Sequence, residues 1–440
     1  MRSIVTLICL VLFQSGCASY GKISNFSSTE SPSGTSYSIK KAAQSDRSSD
    51  VTLVMSFSGG GTRAAALAYG VLQALRETAA TIDGKPQRLI DEIDLISSVS
   101  GGSFTAAYFG LHGEEMFSDF EYKFLRRDIG GELVHGLFNP GLWFSRRGRT
   151  EMAVKYYEDK VFGDATFADL HESQGPFIVI NASDIGRGVR FSFIQDYFDL
   201  ICSDLSTFPV SRAVTASSAV PVVFNPVVLK NYDGCDTRAQ DFLMQAKQHT
   251  TGGHLEDVVD GLSSYANKQE RQYIHLVDGG ITDNLGLLAI YEMVEVAGGA
   301  KPFMKFIGGE PSPHFVVISV NASTNPTTTM ELSNEIPSLE YTINSITDTQ
   351  LHRTNANTLG LFKSRIKQWS KDLSTPDKPV EPYFIEIDFK RITQARRRLL
   401  FNQIPVSFSL QKEQVDELIK VGRELLLSNP EFKRFIEDMR

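Results

Sequence analysis

A nearly continuous apolar run that leads into three glycines constrains this fold more than any other stretch of the chain. Residues 51–57 form the run, which is typical of a strand covered on both faces. Beyond Gly59, Gly60 and Gly61, apolar residues recur at helical spacing and form one stripe. The stripe consists of Ala64, Leu67, Ala68, Val71, Leu72 and Leu75. The stretch therefore predicts a strand, a glycine-rich turn and a helix, in that order.

The same order of elements follows a second time. Residues 93–99 predict another strand, residues 100–102 form a Ser-Gly-Gly turn, and residues 104–111 predict the next helix. Strands that alternate with helices indicate an α/β domain with a largely parallel sheet. We therefore expect an α/β protein whose strand ends carry the functional turns.

Composition excludes one class of function and leaves another open. With 440 residues, of which 42% are hydrophobic and 22% charged, the chain can bury a full core in one large domain or two ordinary ones. Its net charge of -8 supplies no basic excess to neutralise phosphates, so we predict no nucleic-acid partner. A lipid substrate stays open, because attraction to an interface can be apolar and local.

The N-terminal segment, residues 1–17, has the pattern of an export signal. Its apolar run, residues 4–13, follows one positive charge and is too short to span a bilayer comfortably. The sequence Ser15-Gly16-Cys17 resembles a bacterial lipoprotein processing site, which implies that Cys17 is lipidated and holds the protein at an envelope membrane. The alternative is a cleaved signal with an incidental cysteine, which would give a periplasmic or secreted protein.

Three segments follow the signal. Residues 18–50 are small and polar, and they predict a flexible tether. Residues 51–325 carry the strand and helix patterns of the main domain, in which the polar stretch 230–271 predicts a surface insertion. Residues 326–440 are predicted to form a mainly helical C-terminal extension packed on that domain.

The cysteines do not form a disulfide scaffold, and the acidic residues show no metal-binding pattern. Cys202 and Cys235 are the two cysteines in the body of the chain, and one pair in a chain of this length is not a disulfide scaffold. Whether they are bridged stays open at this stage. Asp and Glu are plentiful, but no pattern marks a metal site.

Ser100 occupies the setting of a nucleophile elbow. It stands where an apolar strand meets two glycines, and a tight turn there lifts the hydroxyl clear of its own backbone. The usual pattern is Gly-x-Ser-x-Gly, and Ser98 replaces the first glycine. A serine is still small, but it tolerates fewer backbone conformations than glycine. The alternative is a strand that simply ends in a Ser-Gly turn.

The three glycines offer a row of backbone donors. Consecutive N–H groups at a helix N-terminus can bind negative charge, and in acyl transfer that charge is the oxyanion of the tetrahedral intermediate. Arg63 could order this loop or add positive potential. A phosphate cradle is the competing function, but the lysine and Ser/Thr of a P-loop are missing, and a dinucleotide site needs another glycine spacing. A purely structural turn is the third alternative.

Asp278 is the candidate base. It ends an apolar strand and precedes Gly279 and Gly280, so its carboxylate is predicted to project from the same sheet edge as Ser100. A carboxylate that is hydrogen-bonded to a serine can accept the proton as the hydroxyl attacks, and no histidine is required. His275 is near in sequence, but no pattern makes it a triad base. The alternative is a carboxylate that caps an Asp-Gly turn.

These three motifs, in this chain order, resemble the patatin-like phospholipase family. They are Gly-Gly-Gly-x-Arg at residues 59–63, the serine elbow around Ser100 and Asp-Gly-Gly at residues 278–280. The similarity extends to residues 213–221, which look like that family's loop before the aspartate strand, and to Asn284.

The resemblance covers roughly residues 51–320 and implies a fold and a role for each motif. The implied fold is a three-layer α/β architecture with a mostly parallel central sheet between helices. In this family a Ser-Asp dyad cleaves acyl esters of lipids, which implies Ser100 as the nucleophile and Asp278 as the base. The residues implied for the oxyanion hole and its support are Gly59, Gly60, Gly61, Arg63 and Gly102.

The implied function is hydrolysis of ester-linked fatty acids in phospholipids or lysophospholipids through an acyl-enzyme. It would need no metal or cofactor and would act at a bacterial envelope membrane. Acyl transfer to an acceptor other than water is an alternative on the same dyad. A catalytically inactive lipid-binding envelope protein that keeps the fold is an alternative of a different class.

Overall fold

The computed structural model describes most of the chain. The described residues are 20–28, 37–43, 47–132, 148–221, 223–236, 238–250, 252–324 and 334–440. The predicted export signal, with the lipidation site Cys17, lies outside these ranges. Within them, no helix combines the length and the apolar character needed to cross a membrane.

The described residues alternate between strands and helices. The strands are β1 (Phe26–Ser27), β2 (Val51–Phe57), β3 (Ala79–Ile82), β4 (Lys85–Arg88), β5 (Ile93–Val99), β6 (Phe177–Asp184), β7 (Val189–Ser192), β8 (Ser203–Asp204), β9 (Val227–Lys230), β10 (Tyr273–Asp278), β11 (His314–Asn321) and β12 (Glu381–Asp388). The α-helices are α1 (Ile39–Ala42), α2 (Thr62–Glu77), α3 (Gly101–His112), α4 (Met116–Phe120), α5 (Arg149–Tyr157), α6 (Phe167–Glu172), α7 (Gln195–Leu200), α8 (Val210–Ser217), α9 (Arg238–Lys247), α10 (His254–Ser263), α11 (Gly280–Asp283), α12 (Leu287–Val296), α13 (Ala300–Ile307), α14 (Leu339–Leu373), α15 (Ala395–Asn402), α16 (Lys412–Ser428) and α17 (Pro430–Asp438). Short 3₁₀ or π turns span Leu89–Glu92, Gly113–Glu115, Glu121–Leu125, Glu158–Phe162, Ser264–Ala266 and Phe389–Arg391.

An eight-stranded sheet organises the protein. Its order is β12, β11, β2, β5, β6, β10 and β9, and β7 forms a hairpin with the end of β6. The five strands from β12 to β6 run parallel to their neighbours, whereas β10 runs antiparallel to β6 and β9 antiparallel to β10. This sheet confirms the predicted α/β class with a mostly parallel centre.

Helices cover both faces of the sheet. Along β2 and β11 successive side chains alternate between the faces, as strand geometry requires. Met55 and Ile318 belong to the hydrophobic cluster that contains α2, α3 and α16. Val54 and Val317 belong to a second cluster with side chains of α12 and α14. The fold therefore has three layers, and the apolar run in β2 is explained by burial on both sides.

The C-terminal region is part of this fold. β12 pairs in parallel with β11 over its whole length and so extends the sheet. α16 packs on α2 so closely that a Cβ at Gly70 would lie 2.1 Å from the Ile419 carbonyl oxygen, and one at Gly422 would lie 2.5 Å from the Leu67 carbonyl oxygen. We predicted an extension packed on the domain, and the structure adds a strand of the central sheet.

Part of the predicted tether is also ordered. The hydroxyl of buried Tyr37 donates to the Ile178 carbonyl oxygen at 3.2 Å and accepts the Ile178 N–H at 2.8 Å. Asn25 forms two hydrogen bonds of 2.8 and 2.9 Å with the backbone of Lys230. The prediction of a flexible tether is therefore wrong for these residues, because their side chains satisfy backbone groups of β6 and β9.

The predicted surface insertion at residues 230–271 contains helices α9 and α10. Leu243, Val259 and Tyr265 from this stretch are buried in the main hydrophobic cluster. A disulfide joins Cys202, directly before β8, to Cys235, three residues before α9. The stretch is therefore anchored by its own apolar side chains and by a covalent bridge.

Candidate active site

The turn between β5 and α3 holds Ser100 in a conformation that few non-glycine residues adopt. Its φ is +49° and its ψ is -121°. A backbone angle of this kind costs about 1–3 kcal/mol and persists only when the surroundings enforce it. The turn presents the Ser100 hydroxyl at the carboxyl end of β5, as the predicted elbow requires.

Close backbone contacts explain the two glycines that follow. A Cβ at Gly101 would lie 2.0 Å from the Gly61 carbonyl oxygen, and one at Gly102 would lie 2.7 Å from the Ser58 carbonyl oxygen. The two glycine turns therefore pack directly against each other, which only residues without side chains allow. Ser98, which replaces the usual first glycine, is buried and donates its hydroxyl to the Val179 carbonyl oxygen at 3.2 Å.

Asp278 accepts a hydrogen bond from the predicted nucleophile. The distance from Ser100 Oγ to Asp278 Oδ2 is 2.8 Å, and the Gly280 N–H donates to Oδ1 at 2.8 Å. Burial raises the pKa of Asp278 to about 6, and the hydrogen bonds from Gly280 and Ser100 limit that rise. Among the residues that the structure describes, no histidine side chain is hydrogen-bonded to Ser100 or Asp278, and His275 lies exposed on β10.

The two side chains meet although their strands run in different directions. β6 continues beyond Asn181, which is paired with Val99, and the pairing of β10 with β6 is confined to this overhang. β10 runs antiparallel to β6, from Leu276 opposite Asp184 to Asp278 opposite Ala182. Asp278, the last residue of β10, therefore lies beside the carboxyl end of β5, where Ser100 follows. The convergence was predicted from a shared sheet edge, but an antiparallel strand produces it.

The first glycine motif supplies two unused backbone donors. Gly60 and Gly61 have φ values of +139° and +60°, and their N–H groups donate to no described residue. The Gly59 N–H instead donates to the Asn284 carbonyl oxygen at 3.0 Å. We predicted all three as oxyanion donors, and this bond removes Gly59 from that set. A Cβ at Gly59 would lie 3.4 Å from Ser100 Cβ, so the loop adjoins the nucleophile.

Arg63 orders the loop from inside the protein. Its buried guanidinium donates to the carbonyl oxygens of Ala322 at 2.9 Å and Ile404 at 2.5 Å. Burial lowers the pKa of Arg63 to about 10, so the group stays charged at neutral pH. Of the two roles that we considered for Arg63, these contacts favour ordering, because they join the start of α2 to two distant loops.

Ser217 is a site residue that the sequence motifs did not single out. Its hydroxyl accepts the Ser100 N–H at 2.8 Å and donates to the Asn181 carbonyl oxygen at 2.6 Å. Its carbonyl oxygen accepts the Gly279 N–H at 3.0 Å. One residue thus connects the elbow with the turn after Asp278. The only signal was its place within residues 213–221, which resembled a family segment.

A buried ion pair supports Asn181 in turn. The Asn181 side-chain oxygen accepts hydrogen bonds from Ser192 Oγ at 2.6 Å and from Arg190 at 3.3 Å. Arg190 also binds Glu292 at 2.6 Å, with both side chains buried. Although burial acts to raise it, the positive charge of Arg190 holds the pKa of Glu292 below its ordinary value. The strand beneath the elbow is therefore held by a satisfied polar network.

Replacing Ser217 with alanine is expected to lower kcat/KM by about 10- to 100-fold on a soluble ester. The change leaves the Ser100 N–H and the Asn181 carbonyl unpaired, and each unsatisfied buried group costs about 1–3 kcal/mol. The matched control is Ser218→Ala, because the described partners of Ser218 Oγ are the carbonyl oxygens of Val214 and Thr215 in the preceding helix. Equal kinetics in the two variants, both checked for folding by thermal unfolding, would contradict this role.

With this geometry in hand, comparison with known proteins gives a family. The sequence model of the patatin-like phospholipase family matches residues 55–291, which is more than half of the chain. The chain belongs to the patatin-like phospholipase family. The matched range contains Ser100, Asp278 and the three glycines of the first motif. No curated protein sequence matches the chain.

Solved structures resemble this patatin-like chain at low identity. Human GIVD cytosolic phospholipase A2 is 13% identical over 91% of this chain and 62% of its own, with a TM-score of 0.42. Its complex with methyl gamma-linolenyl fluorophosphonate is also 13% identical, covers 91% and 61%, and has a TM-score of 0.40. VipD from Legionella pneumophila is 12% identical over 97% of this chain and 72% of its own, with a TM-score of 0.33. The patatin-like chain thus spans about three fifths of the length of the human enzyme.

Proposed function

We propose that this protein hydrolyses ester-linked fatty acids in phospholipids or lysophospholipids through an acyl-Ser100 intermediate. The observation that carries the proposal is the 2.8 Å hydrogen bond from Ser100 Oγ to Asp278 Oδ2. Membership of the patatin-like phospholipase family supports a lipid ester as the substrate. The unused N–H groups of Gly60 and Gly61 beside the nucleophile supply the second requirement of acyl transfer, a site for the oxyanion.

In the first half of the reaction, Asp278 accepts the Ser100 proton while Oγ attacks the ester carbonyl carbon. The carbonyl oxygen becomes an oxyanion, to which Gly60 and Gly61 donate hydrogen bonds. The intermediate collapses, the bond to the lipid alcohol breaks, and Asp278 returns its proton to the departing oxygen. The fatty acyl group is then bound to Ser100 as an ester.

In the second half, water takes the place of the alcohol. Asp278, again ionised, accepts a proton from water as the water oxygen attacks the acyl carbon. Collapse of the second intermediate releases the fatty acid and returns the proton to Ser100 Oγ. An inactive lipid-binding protein would have no need for the strained Ser100 backbone or for the hydrogen bond between Ser100 and Asp278.

The test is release of fatty acid from phospholipid and lysophospholipid vesicles by the purified protein. We expect free fatty acid to form with both substrates, and a fluorophosphonate probe to label the protein. Added alcohol or lysolipid acceptors separate hydrolysis from acyl transfer, because a transferase would form the acylated acceptor in place of free acid. Absence of both labelling and acyl release would instead favour an inactive lipid-binding protein.

We further propose that the protein is exported and held at a bacterial envelope membrane through lipidated Cys17. The support is the leader pattern, in which an apolar run is followed by Ser15, Gly16 and Cys17. An acyl anchor would keep the enzyme near a bilayer without a spanning helix.

A further inference from the structure

Two exposed aliphatic side chains lie next to the backbone that fixes Asp278. Val220, 38% exposed, follows Ala219, whose carbonyl oxygen accepts the Asp278 N–H at 3.0 Å. Ile281, 57% exposed, follows Gly280, whose N–H donates to Asp278 Oδ1. Each side chain therefore belongs to a residue directly next to backbone that is hydrogen-bonded to Asp278.

A third exposed aliphatic residue borders the glycine loop from the opposite part of the chain. Val406, 65% exposed, precedes Ser407, whose carbonyl oxygen accepts the Thr62 N–H at 2.8 Å. A Cβ at Gly61 would lie 2.4 Å from that same oxygen. The segment around Val406 therefore leans on the loop that carries the proposed oxyanion donors.

Helix α15, directly before this segment, adds two more such residues. Leu399 and Leu400 are 42% and 60% exposed, and their neighbour Phe401 is buried. The exposed aliphatic residues of these segments are referred to as the apolar rim. Its members are Val220, Val223, Ile281, Leu399, Leu400 and Val406. Three separate segments that contact Asp278 or the glycine loop through their backbone thus also carry exposed apolar side chains.

The charge of the same C-terminal segment is opposite to that of the whole chain. Residues 389–410 contain five basic residues and no acidic one, whereas the net charge of the protein is -8. Arg391 and Arg397 pair with glutamates of neighbouring elements, while Lys390 and Arg396 are exposed. Exposed cations beside exposed leucines are complementary to a lipid surface, which has anionic head groups outside and apolar chains beneath them.

We propose that the apolar rim and the basic residues of segment 389–410 dock the protein on the surface of an anionic lipid bilayer. The inference rests on the proposed function, because a lipid ester must leave a bilayer to reach Ser100. Docking would seat Leu399, Leu400 and Val406 among the lipid chains beside the glycine loop. The substrate then enters the site without exposing its acyl chain to water.

The test is binding to vesicles of phosphatidylcholine with and without phosphatidylglycerol. Every protein in this assay carries Ser100→Ala to prevent hydrolysis and Cys17→Ser to prevent acyl anchoring. Adding Leu399→Gln and Leu400→Gln together is expected to weaken binding by about tenfold or more, because two leucines no longer enter the bilayer. Arg396→Gln is expected to weaken binding about fivefold, and only to the anionic vesicles.

The matched control is Met244→Gln in α9, since Met244 is 60% exposed but lies outside the apolar rim. It should bind vesicles like its parent. Unchanged vesicle binding by the double leucine variant would overturn the proposal. If that variant instead loses self-association, the rim contacts a second copy of the chain, and the proposal is equally wrong.

A second measurement separates this proposal from the proposed function. The double leucine variant with Ser100 and Asp278 intact should react with a fluorophosphonate and cleave a soluble short-chain ester at the parent rate. Its hydrolysis of anionic vesicles should fall in step with its binding. Loss of soluble-ester turnover together with vesicle turnover would show that the leucines shape the site itself, which contradicts a docking role.

Discussion

Ser100→Ala is expected to remove ester hydrolysis and covalent labelling by a fluorophosphonate while leaving the protein folded. Without the hydroxyl no acyl-enzyme can form, and the remaining oxyanion donors preserve only a small part of the rate, so a loss of at least about 10⁴-fold in kcat is expected. Alanine also lacks the hydrogen bond to Asp278, but it adds no volume to the turn. Turnover of a chromogenic ester and labelling followed by mass spectrometry measure the loss.

The matched control for this variant is Ser98→Ala. Ser98 precedes Ser100 by two residues and is also buried, but its hydroxyl donates to the Val179 carbonyl oxygen and does not contact Asp278. We expect it to keep labelling and most of its turnover. Labelling that persists in Ser100→Ala, or that disappears equally in Ser98→Ala, would show that Ser100 is not the nucleophile.

Asp278→Asn is expected to lower kcat by about 10³- to 10⁴-fold, which is the range for removal of a catalytic base or its orienting carboxylate. The amide keeps the shape of the side chain and can still accept the Gly280 N–H through its oxygen. It cannot accept the Ser100 proton. Single-turnover kinetics with a soluble ester would show the loss in the acylation step, and a variant that acylates at the parent rate would contradict the role of base.

The pH dependence should carry the same signature. Burial raises the pKa of Asp278 to about 6, so the carboxylate loses its basic form as pH falls below that value. Activity should rise with pH through about 6 and level off above it, and the residual activity of Asp278→Asn should lack this limb. An acidic limb that persists unchanged in Asp278→Asn would assign the titration to another group.

The free energy of unfolding should decrease with rising pH because of the Asp278 carboxylate. Because its folded-state pKa lies above the ordinary value of 3.8, its protonated form is favoured in the folded protein. The associated stability is present at low pH and is lost as pH rises through about 6. At pH 8 Asp278→Asn should therefore be more stable than the parent, by about 3 kcal/mol at most.

Local sequence signals were sufficient to predict three elements near the site. They are the strand before Ser100, the strand before the glycine loop and the helix after it. The predicted strands at residues 51–57 and 93–99 coincide with β2 and β5, since a run buried on both faces is apolar throughout. The helix after the glycines was visible in its apolar stripe. Gly101 and Gly102 were recognised from their sequence pattern. Glycine is required at these positions because one glycine turn packs on another, which is a long-range contact.

Other features depend on pairings that no local pattern records. The direction of β10, and therefore the way in which Asp278 reaches Ser100, follows from its register on β6. Ser217 became a site residue only through bonds to the Ser100 N–H and Asn181. The use of the Gly59 N–H by Asn284 was likewise invisible in the sequence.

The regions on either side of the main domain contain features that were not predicted, for a related reason. The small polar residues before β2 lack apolar periodicity, so they gave the pattern of a tether, yet Tyr37 and Asn25 bind backbone atoms far away in sequence. The C-terminal region was predicted as mainly helical, and the structure adds β12, which extends the sheet beside β11. Single side chains order the first region and one strand pairing joins the second to the sheet, and composition records neither.

The pairing of β10 with the overhang of β6 limits how the sequence of this family member can change. A slip of two residues in that ladder would keep every side chain on its face but move the carboxylate by roughly 6.6 Å, far beyond reach of a proton on Ser100. Insertions in the loops that lead into β10 preserve the position of Asp278, provided that the same residues of β10 and β6 still pair. The distance between Ser100 and Asp278 is therefore set by backbone hydrogen bonds between strands, which many different side chains can support.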